Sequence, residues 1–247
     1  MKRSIFCLCL LFVVLAVSPL RAEHEGKLQI LLLGDSTTWG SIPRKLKPEG
    51  PHLETMIEQL LAAEGDLKPC RVINLGSGGE SIHRLLDTGR YDKVVPKLPG
   101  LDWIFIRYGI NDRVKREDFP ENFPKDFKDL IARLRRDYPA ARIVPTTVIP
   151  FADEEATAEI NGLVLRVAVE EGLEVFDLHS RYAAELVKGP NMLNYRRFPV
   201  EKVPPQYQEL VKPRVIDGRV VVMGDELDGL LGHLPGWFGD RHPNLAG

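Results

Sequence analysis

Gly34-Asp35-Ser36 stands directly after the apolar run Leu28 to Leu33. A serine on a tight strand-to-helix turn exposes its Oγ at the edge of a sheet, and the backbone amides of that turn can face an incoming carbonyl oxygen. The same position suits helix capping by Asp35 or Ser36, so the triplet alone admits both readings. Asn74-Leu75-Gly76-Ser77-Gly78-Gly79-Glu80-Ser81 follows a second apolar run, and its glycines let backbone N–H groups approach a ligand closely. Gly76 and Gly78 also begin a dinucleotide-binding pattern. That pattern breaks at Ser81, where a third glycine belongs, and at Glu80, which would set a carboxylate against the pyrophosphate.

Tyr108-Gly109-Ile110-Asn111-Asp112 comes after a third apolar run. The Asn111 amide can donate to a developing oxyanion, or it can bond its own backbone in a turn. Near the C-terminus lies Asp240-Arg241-His242-Pro243-Asn244. His242 could act as a general base with a carboxylate holding its tautomer, or it could be a lone surface histidine. A serine, backbone donors, an amide and a histidine are together the parts of nucleophilic acyl transfer.

The elements that must position these segments are legible in the apolar pattern. Leu28 to Leu33, Arg71 to Leu75, Trp103 to Ile106, Ile143 to Ile149 and Leu173 to Phe176 are short continuous runs, each bounded by glycine, proline or polar residues. Such runs suit strands covered on both faces. Between them Leu53, Ile57, Leu60 and Leu61 share helical spacing, as do Phe127, Leu130, Ile131 and Leu134. A third helix is expected from Glu154 to Glu171, with Ile160, Leu163, Val164 and Val167 apolar and Gly172 as its C-cap. This alternation predicts an α/β fold of three layers, α/β/α, around a doubly wound, five-stranded, mostly parallel sheet. In such sheets ligands sit at the carboxyl ends of the strands, where the first three segments stand. Pro190, Pro199, Pro204, Pro205 and Pro213, with Tyr195, Arg196, Arg197 and Tyr207 among them, and a hairpin signal at Asp217-Gly218, predict an insertion at about 188–230 over one end of the sheet.

In this order the four segments resemble the blocks of the SGNH hydrolases, also called the GDSL esterase and lipase family. Gly34-Asp35-Ser36 is similar to the first block, Asn74 through Ser81 to the second, Gly109 through Asp112 to the third and His242-Pro243 to the last. The resemblance implies a flavodoxin-like fold and a serine esterase that uses neither metal nor cofactor. It makes Ser36 the nucleophile, with its own amide, Gly79 and Asn111 as oxyanion donors and His242 as the base. Gly79, rather than Gly76, matches the family's oxyanion glycine because an acid and a hydroxyl residue, Glu80-Ser81, follow it.

One position departs from the family. Its triad aspartate stands three residues before the histidine, where this chain has Gly239, and Asp240 stands two before. Pro243 biases His242 toward an extended backbone, in which residues two apart point to the same side. Asp240 can therefore reach Nδ1 of His242; alternatively it is a surface charge and a backbone carbonyl orients the ring. The remaining histidines, His24, His52, His83, His179 and His233, lack zinc-site spacing. Asp177-Leu178-His179 ends the last strand in a structural or pocket-lining position.

Composition narrows the partners. With 33 basic and 35 acidic side chains the formal charge is −2, and no concentrated excess of Lys and Arg marks a nucleic-acid partner. Residues 1–22 have the layout of a secretory signal peptide: Lys2 and Arg3, an apolar run from Ile5 to Val17, Pro19, and the small residue Ala22 at the cleavage point. The mature domain is then 23–247, secreted or periplasmic, with no stable membrane span. Cleavage removes Cys7, Cys9 and three positive charges but no acidic residue, so the net charge becomes about −5 and Cys70 is the one thiol left. Cys70 is expected in the core. The sequence stops five residues after His242, so a helix following that histidine is expected either to be cut off or never to have been there.

Export, together with the run Gly34-Asp35-Ser36-Thr37-Thr38, similar to that of rhamnogalacturonan-type acetylesterases, points to O-acetyl groups on an extracellular carbohydrate. The expected partner is a small-molecule or polysaccharide ester, and Arg107, Arg113, Arg196 and Arg197 are candidates to face an anionic sugar. Lysophospholipase or thioesterase activity is the alternative within the family, although the insertion does not read as the apolar lid a lipid would want. From another class comes an inactive carbohydrate-binding module, which only Gly239 favours.

Overall fold

Leu28–Gly34 (β1), Cys70–Asn74 (β2), Trp103–Arg107 (β3) and Arg142–Pro145 (β4) pair in parallel, in the order β2-β1-β3-β4. The computed structural model describes residues 26–151, 153–188, 192–193, 195–239 and 241–247, so the leader expected over 1–22 and Asp240 lie outside the described residues. The strands are apolar through their middles because alternate side chains enter two different cores. Leu31 and Leu33 of β1 join Ile104 and Ile106 of β3 on one face, while Ile30 and Leu32 join Val72 on the other. The register pairs Leu31 with Ile104 and Leu33 with Ile106, so the two strands agree on which face is which.

Helices α1 (Ser36–Trp39), α2 (Ser41–Leu46) and α3 (Leu53–Ala63) connect β1 to β2, and α4 (Ile82–Asp87) and α5 (Arg90–Val94) precede β3. Next come α6 (Ile110–Lys115) and α7 (Phe119–Asp137), then α8 (Glu154–Glu170) and α9 (Leu178–Leu186) beyond β4. Leu53, Ile57 and Leu61 of α3 cover one face of the sheet; α7 and α8 cover the other. Buried Phe119, Phe123, Phe127, Leu130, Ile131 and Leu134 form the inner stripe of α7, which starts one turn or more before the helix read from the sequence. Pro124 lacks the N–H that would bond the Pro120 carbonyl, and Arg166 of α8 donates to that carbonyl at 3.3 Å instead. Gly172 closes α8 with φ +63.

The five-stranded expectation needs one correction. Leu173 to Phe176 does not form a full strand and makes only an isolated parallel bridge, Phe176 with Thr146. The Phe176 N–H donates to Pro145 O at 2.9 Å and its carbonyl accepts from Thr147 N at 3.2 Å. Asp177 immediately turns the chain into α9, accepting the Ser180 N–H on Oδ1 at 3.1 Å, so pairing ends after one residue. Cys70 also differs from its expectation: as the first residue of β2 it is half-buried, not enclosed.

The segment after α9 builds its own small sheet. Arg196–Pro199 (β5), α10 (Pro205–Val211), Val215–Ile216 (β6), Arg219–Val222 (β7) and α11 (Asp228–Leu231) follow in sequence, and the strands pair antiparallel as β5-β7-β6. Asp217 and Gly218 link β6 to β7 with φ of 49° and 72°, the positive pair that a two-residue hairpin demands. Phe198, Val220, Val222, Leu231 and Trp237 form its core. No helix among the described residues is long and apolar enough to cross a membrane.

Candidate active site

Ser36 is the first residue of α1, at the carboxyl end of β1. Asp35 settles the capping question raised by the triplet: its Oδ1 accepts the Thr37 N–H at 2.8 Å and the Thr37 hydroxyl at 2.7 Å. Because Asp35 caps the helix, the Ser36 hydroxyl is available for another partner, and its Oγ lies 2.8 Å from Nε2 of His242. Gly34 lets this turn close, since a Cβ there would fall 2.0 Å from Thr38 Oγ1 and 2.8 Å from the Arg107 carbonyl.

The loop after β2 is braced against that turn. Asn74 donates to Thr38 O at 2.9 Å and to Glu54 at 3.0 Å, and accepts the Gly76 N–H at 2.9 Å. The Ser77 N–H donates to Gly34 O at 3.0 Å. Gly76 is a contact requirement: a Cβ would sit 2.4 Å from Trp39 N and 2.8 Å from its Cα. Gly79, at φ +71, takes the left-handed conformation that glycine adopts without strain. Glu80 turns inward, where Tyr108 donates to it at 2.8 Å and Arg90 at 2.6 and 2.8 Å. Burial raises its carboxyl above the usual range, against the opposing pull of Tyr108 and Arg90.

Asn111 is the second residue of α6, half-buried, and its side chain forms no hydrogen bond among the described residues. The turn-asparagine alternative, in which the amide is bonded to its own backbone, is therefore not what the chain adopts. Two contacts hold α6 beside the Gly79 loop. Lys115 donates its Nζ to the Gly79 carbonyl, and buried Asp112 accepts the Ile82 N–H at 2.8 Å and the Gly109 N–H at 3.1 Å. Burial drives the Asp112 carboxyl up to about 7, more than those two hydrogen bonds pull it down.

His242 is 6% exposed, on a chain segment that bridges Tyr195 in antiparallel fashion. The edges of its ring meet Phe151 and Tyr195, with centroids 5.6 and 6.2 Å away. These two aromatic rings carry no spacing signal in the sequence, nor does the Lys115 contact. Gly239, which occupies the family's aspartate position, closes a turn by donating to Gly236 O at 3.0 Å. Ser36 and His242 are thus in direct contact, and the Gly79 loop is tied to α6, which carries Asn111; Asp240 lies outside the described residues.

Of the arginines read as candidates for an anionic sugar, two are engaged elsewhere. Arg196 is 4% exposed and paired with Asp228 at 2.8 Å, and Arg113 pairs with Glu159 at 2.6 Å. Arg196, buried on its carboxylate, supports the fold and does not reach a ligand, whereas the Arg113 pair lies exposed at the surface. Arg107 donates to Thr38 Oγ1 at 3.2 Å, beneath the serine turn. Asp177 is the cap of α9, also bonded by Thr147 Oγ1 at 3.0 Å, with its carboxyl held below the usual range by Ser180. Among the described residues no group of three or more His, Cys, Asp or Glu is placed to hold a metal ion.

The sequence matches the GDSL-like Lipase/Acylhydrolase family over residues 32–198, well over half of the chain. The chain belongs to that family. This acylhydrolase is accordingly a carboxylic ester hydrolase, and the family match ends before His242. It shares its fold with a lipase/acylhydrolase from Enterococcus faecalis, at 23% identity and a TM-score of 0.52, covering 64% of this chain and 79% of that one. An alpha/beta hydrolase enzyme from the metagenome of Lake Arreo, Spain, gives 20% and 0.52, covering 68% and 85%. An acetylxylan esterase from Geobacillus stearothermophilus gives 21% and 0.51, covering 67% and 82%. No curated protein sequence matches this GDSL-family chain.

Proposed function

We propose that the protein removes O-acetyl groups from a carbohydrate by a two-step acyl transfer centred on Ser36. The observation that carries this reading is the 2.8 Å contact between Ser36 Oγ and His242 Nε2 in a chain of the acylhydrolase family. Ser36 Oγ attacks the ester carbonyl carbon as His242 Nε2 takes its proton. The backbone N–H of Ser36, the loop at Gly79 and the Asn111 amide stabilise the oxyanion. His242 then protonates the departing sugar hydroxyl, leaving an acetyl ester on Ser36. Water, deprotonated by the same imidazole, attacks that ester, and acetate leaves with Ser36 restored. Asp240 is proposed to orient His242, and the protein is proposed to act outside the cell after removal of residues 1–22.

Support for the acetyl group comes from the run Gly34 to Thr38, similar to that of rhamnogalacturonan-type acetylesterases, and from the acetylxylan esterase that shares the fold. The test is hydrolysis of p-nitrophenyl acetate and longer acyl esters by the mature protein and its Ser36→Ala variant. Equal background rates for both would refute the activity. A preference for long chains would move the substrate toward lipids and refute the carbohydrate assignment.

A further inference from the structure

The single turn of α1 has an inner and an outer side. Thr37 and Thr38 are buried, while Ser36 is half-buried and Trp39 exposed, so the nucleophile and an indole share the outer side three positions apart. Residues at that spacing on a helix have their Cβ atoms about 5–6 Å from each other. The indole is held in place. The Arg44 guanidinium lies over its ring, 6.0 Å from the centroid, and Arg44 Nε donates to the Trp39 carbonyl at 2.7 Å. Arg44 is fixed in turn by Glu54, to which it donates at 2.6 and 2.8 Å, and the same carboxylate accepts from Asn74, at the start of the glycine loop, at 3.0 Å. On that loop Gly78 presents no side chain to the ring; a Cβ there would stand 4.0 Å from two indole carbons. Trp39 belongs to none of the apolar cores, so these contacts hold a large ring at the surface beside the nucleophile.

We infer that Trp39 is the platform on which the acetylated sugar ring stacks while Ser36 attacks, and so determines specificity for the alcohol side of the ester. The inference rests on the carbohydrate esterase reading above. An acetyl group offers one methyl beyond its carbonyl, so most of the recognition must come from the alcohol side. The sugar begins one oxygen beyond the carbonyl carbon that Ser36 attacks, which brings its ring within reach of the side chain one helical turn on. An indole face is flat and apolar and matches the C–H face of a pyranose, leaving the sugar hydroxyls to water. Because the ring is already ordered in the free protein, stacking immobilises little that was mobile. A flexible acyl chain gains no more from a flat ring than from another apolar side chain of similar size, so the shape of the residue separates the two partners.

The experiment compares xylose tetraacetate with vinyl acetate, which has the same acyl group and no ring, on the parent protein, Trp39→Leu and Trp39→Phe. Leucine keeps apolar bulk against Gly78 but has no flat face; phenylalanine keeps both. Trp39→Leu should lower the ratio of kcat/KM for the sugar ester to that for vinyl acetate about tenfold, chiefly through KM, and Trp39→Phe should restore most of it. A ratio unmoved by Trp39→Leu, including equal loss on both esters, overturns the inference, because a purely structural role for Trp39 gives that result. So does a ratio as low in Trp39→Phe as in Trp39→Leu, or a loss on vinyl butyrate as large as on the sugar ester, which would assign the ring to the acyl chain. Calorimetric binding of acetylated xylohexaose to the Ser36→Ala protein should weaken by a similar factor when Trp39→Leu is added. The two readings fail separately: Ser36-dependent hydrolysis of both esters with the ratio unmoved refutes the platform alone. Trp39-dependent binding of the hexamer without Ser36-dependent hydrolysis refutes the activity alone.

Discussion

Ser36 Oγ and His242 Nε2 lie 2.8 Å apart although 206 positions separate them in the chain. The contact depends on two independent supports. Asp35 caps α1 and so holds the serine at its first position, while Phe151 and Tyr195 flank the imidazole. Neither support is a neighbour of the other in sequence.

Ser36→Ala and His242→Ala should each lower kcat/KM for an activated ester by about 10⁴ or more, because nucleophile and base act as one unit. Their double variant should be little worse than either alone. Steady-state rates with p-nitrophenyl acetate measure this, and additive losses in the double variant would show that the two residues do not act together.

Asp240→Asn tests the shifted carboxylate. If Asp240 holds the His242 tautomer, its loss should lower kcat by about 10⁴, as in other triads, with little change in KM. A rate equal to that of the parent would place the orienting group elsewhere.

Two glycines should respond in opposite directions. Gly76→Ala drives a Cβ into the backbone of Trp39, so α1 must move, and about 1–3 kcal/mol of stability should be lost together with activity. Gly162→Ala, inside α8 with open space around its Cα, should gain about 0.5–1 kcal/mol from helix propensity alone. Urea titrations of both variants decide the sign.

Asp112 should give stability a pH dependence of unusual sign. Its carboxyl sits at about 7 in the folded chain, against 3.8 for the ordinary group, so the folded state holds the extra proton between those values. Stability from this group is therefore full at acid pH and falls as pH rises toward 7, after which it is constant. Glu80, also raised by burial, adds in the same direction. The melting temperature of Asp112→Asn should fall less steeply than that of the parent between about pH 4 and 7. Parallel slopes would show that Asp112 titrates normally.

Asp228 accepts from both Arg196 and the Trp237 indole, at 2.8 and 2.7 Å. Asp228→Ala would leave a guanidinium that is 4% exposed without its carboxylate, at a cost of about 3–5 kcal/mol. A denaturation midpoint within error of the parent would show that the Leu193 and Tyr195 carbonyls suffice for Arg196.

Local pattern made much of the frame readable. The alternate residues of β1 and β3 each face a core, so continuous apolar runs identified central strands, and Asp217-Gly218 identified a hairpin because two consecutive positive φ angles suit those residue types. Where pattern failed, a tertiary partner was missing or unexpected. Leu173 to Phe176 has a strand's composition, yet Asp177 diverts it after a single bridge. Arg196 and Arg197 are adjacent and alike in sequence, but one is sealed on Asp228 and the other lines a cleft between α2 and the small sheet, because successive residues of β5 point to opposite faces.

What the sequence by itself determined is the set of reactive residue types, their order, and the strand ends on which Ser36, Gly79 and Asn111 stand. Each of these follows from residues within a few positions of one another, through strand and helix periodicity and turn preference. Only the tertiary structure decided that Asp35 caps and Ser36 meets His242, that Lys115 ties α6 to the Gly79 loop, and that the Trp39 ring lies against Gly78. Those outcomes depend on sheet register and on packing between segments distant in sequence, so no local pattern encodes them.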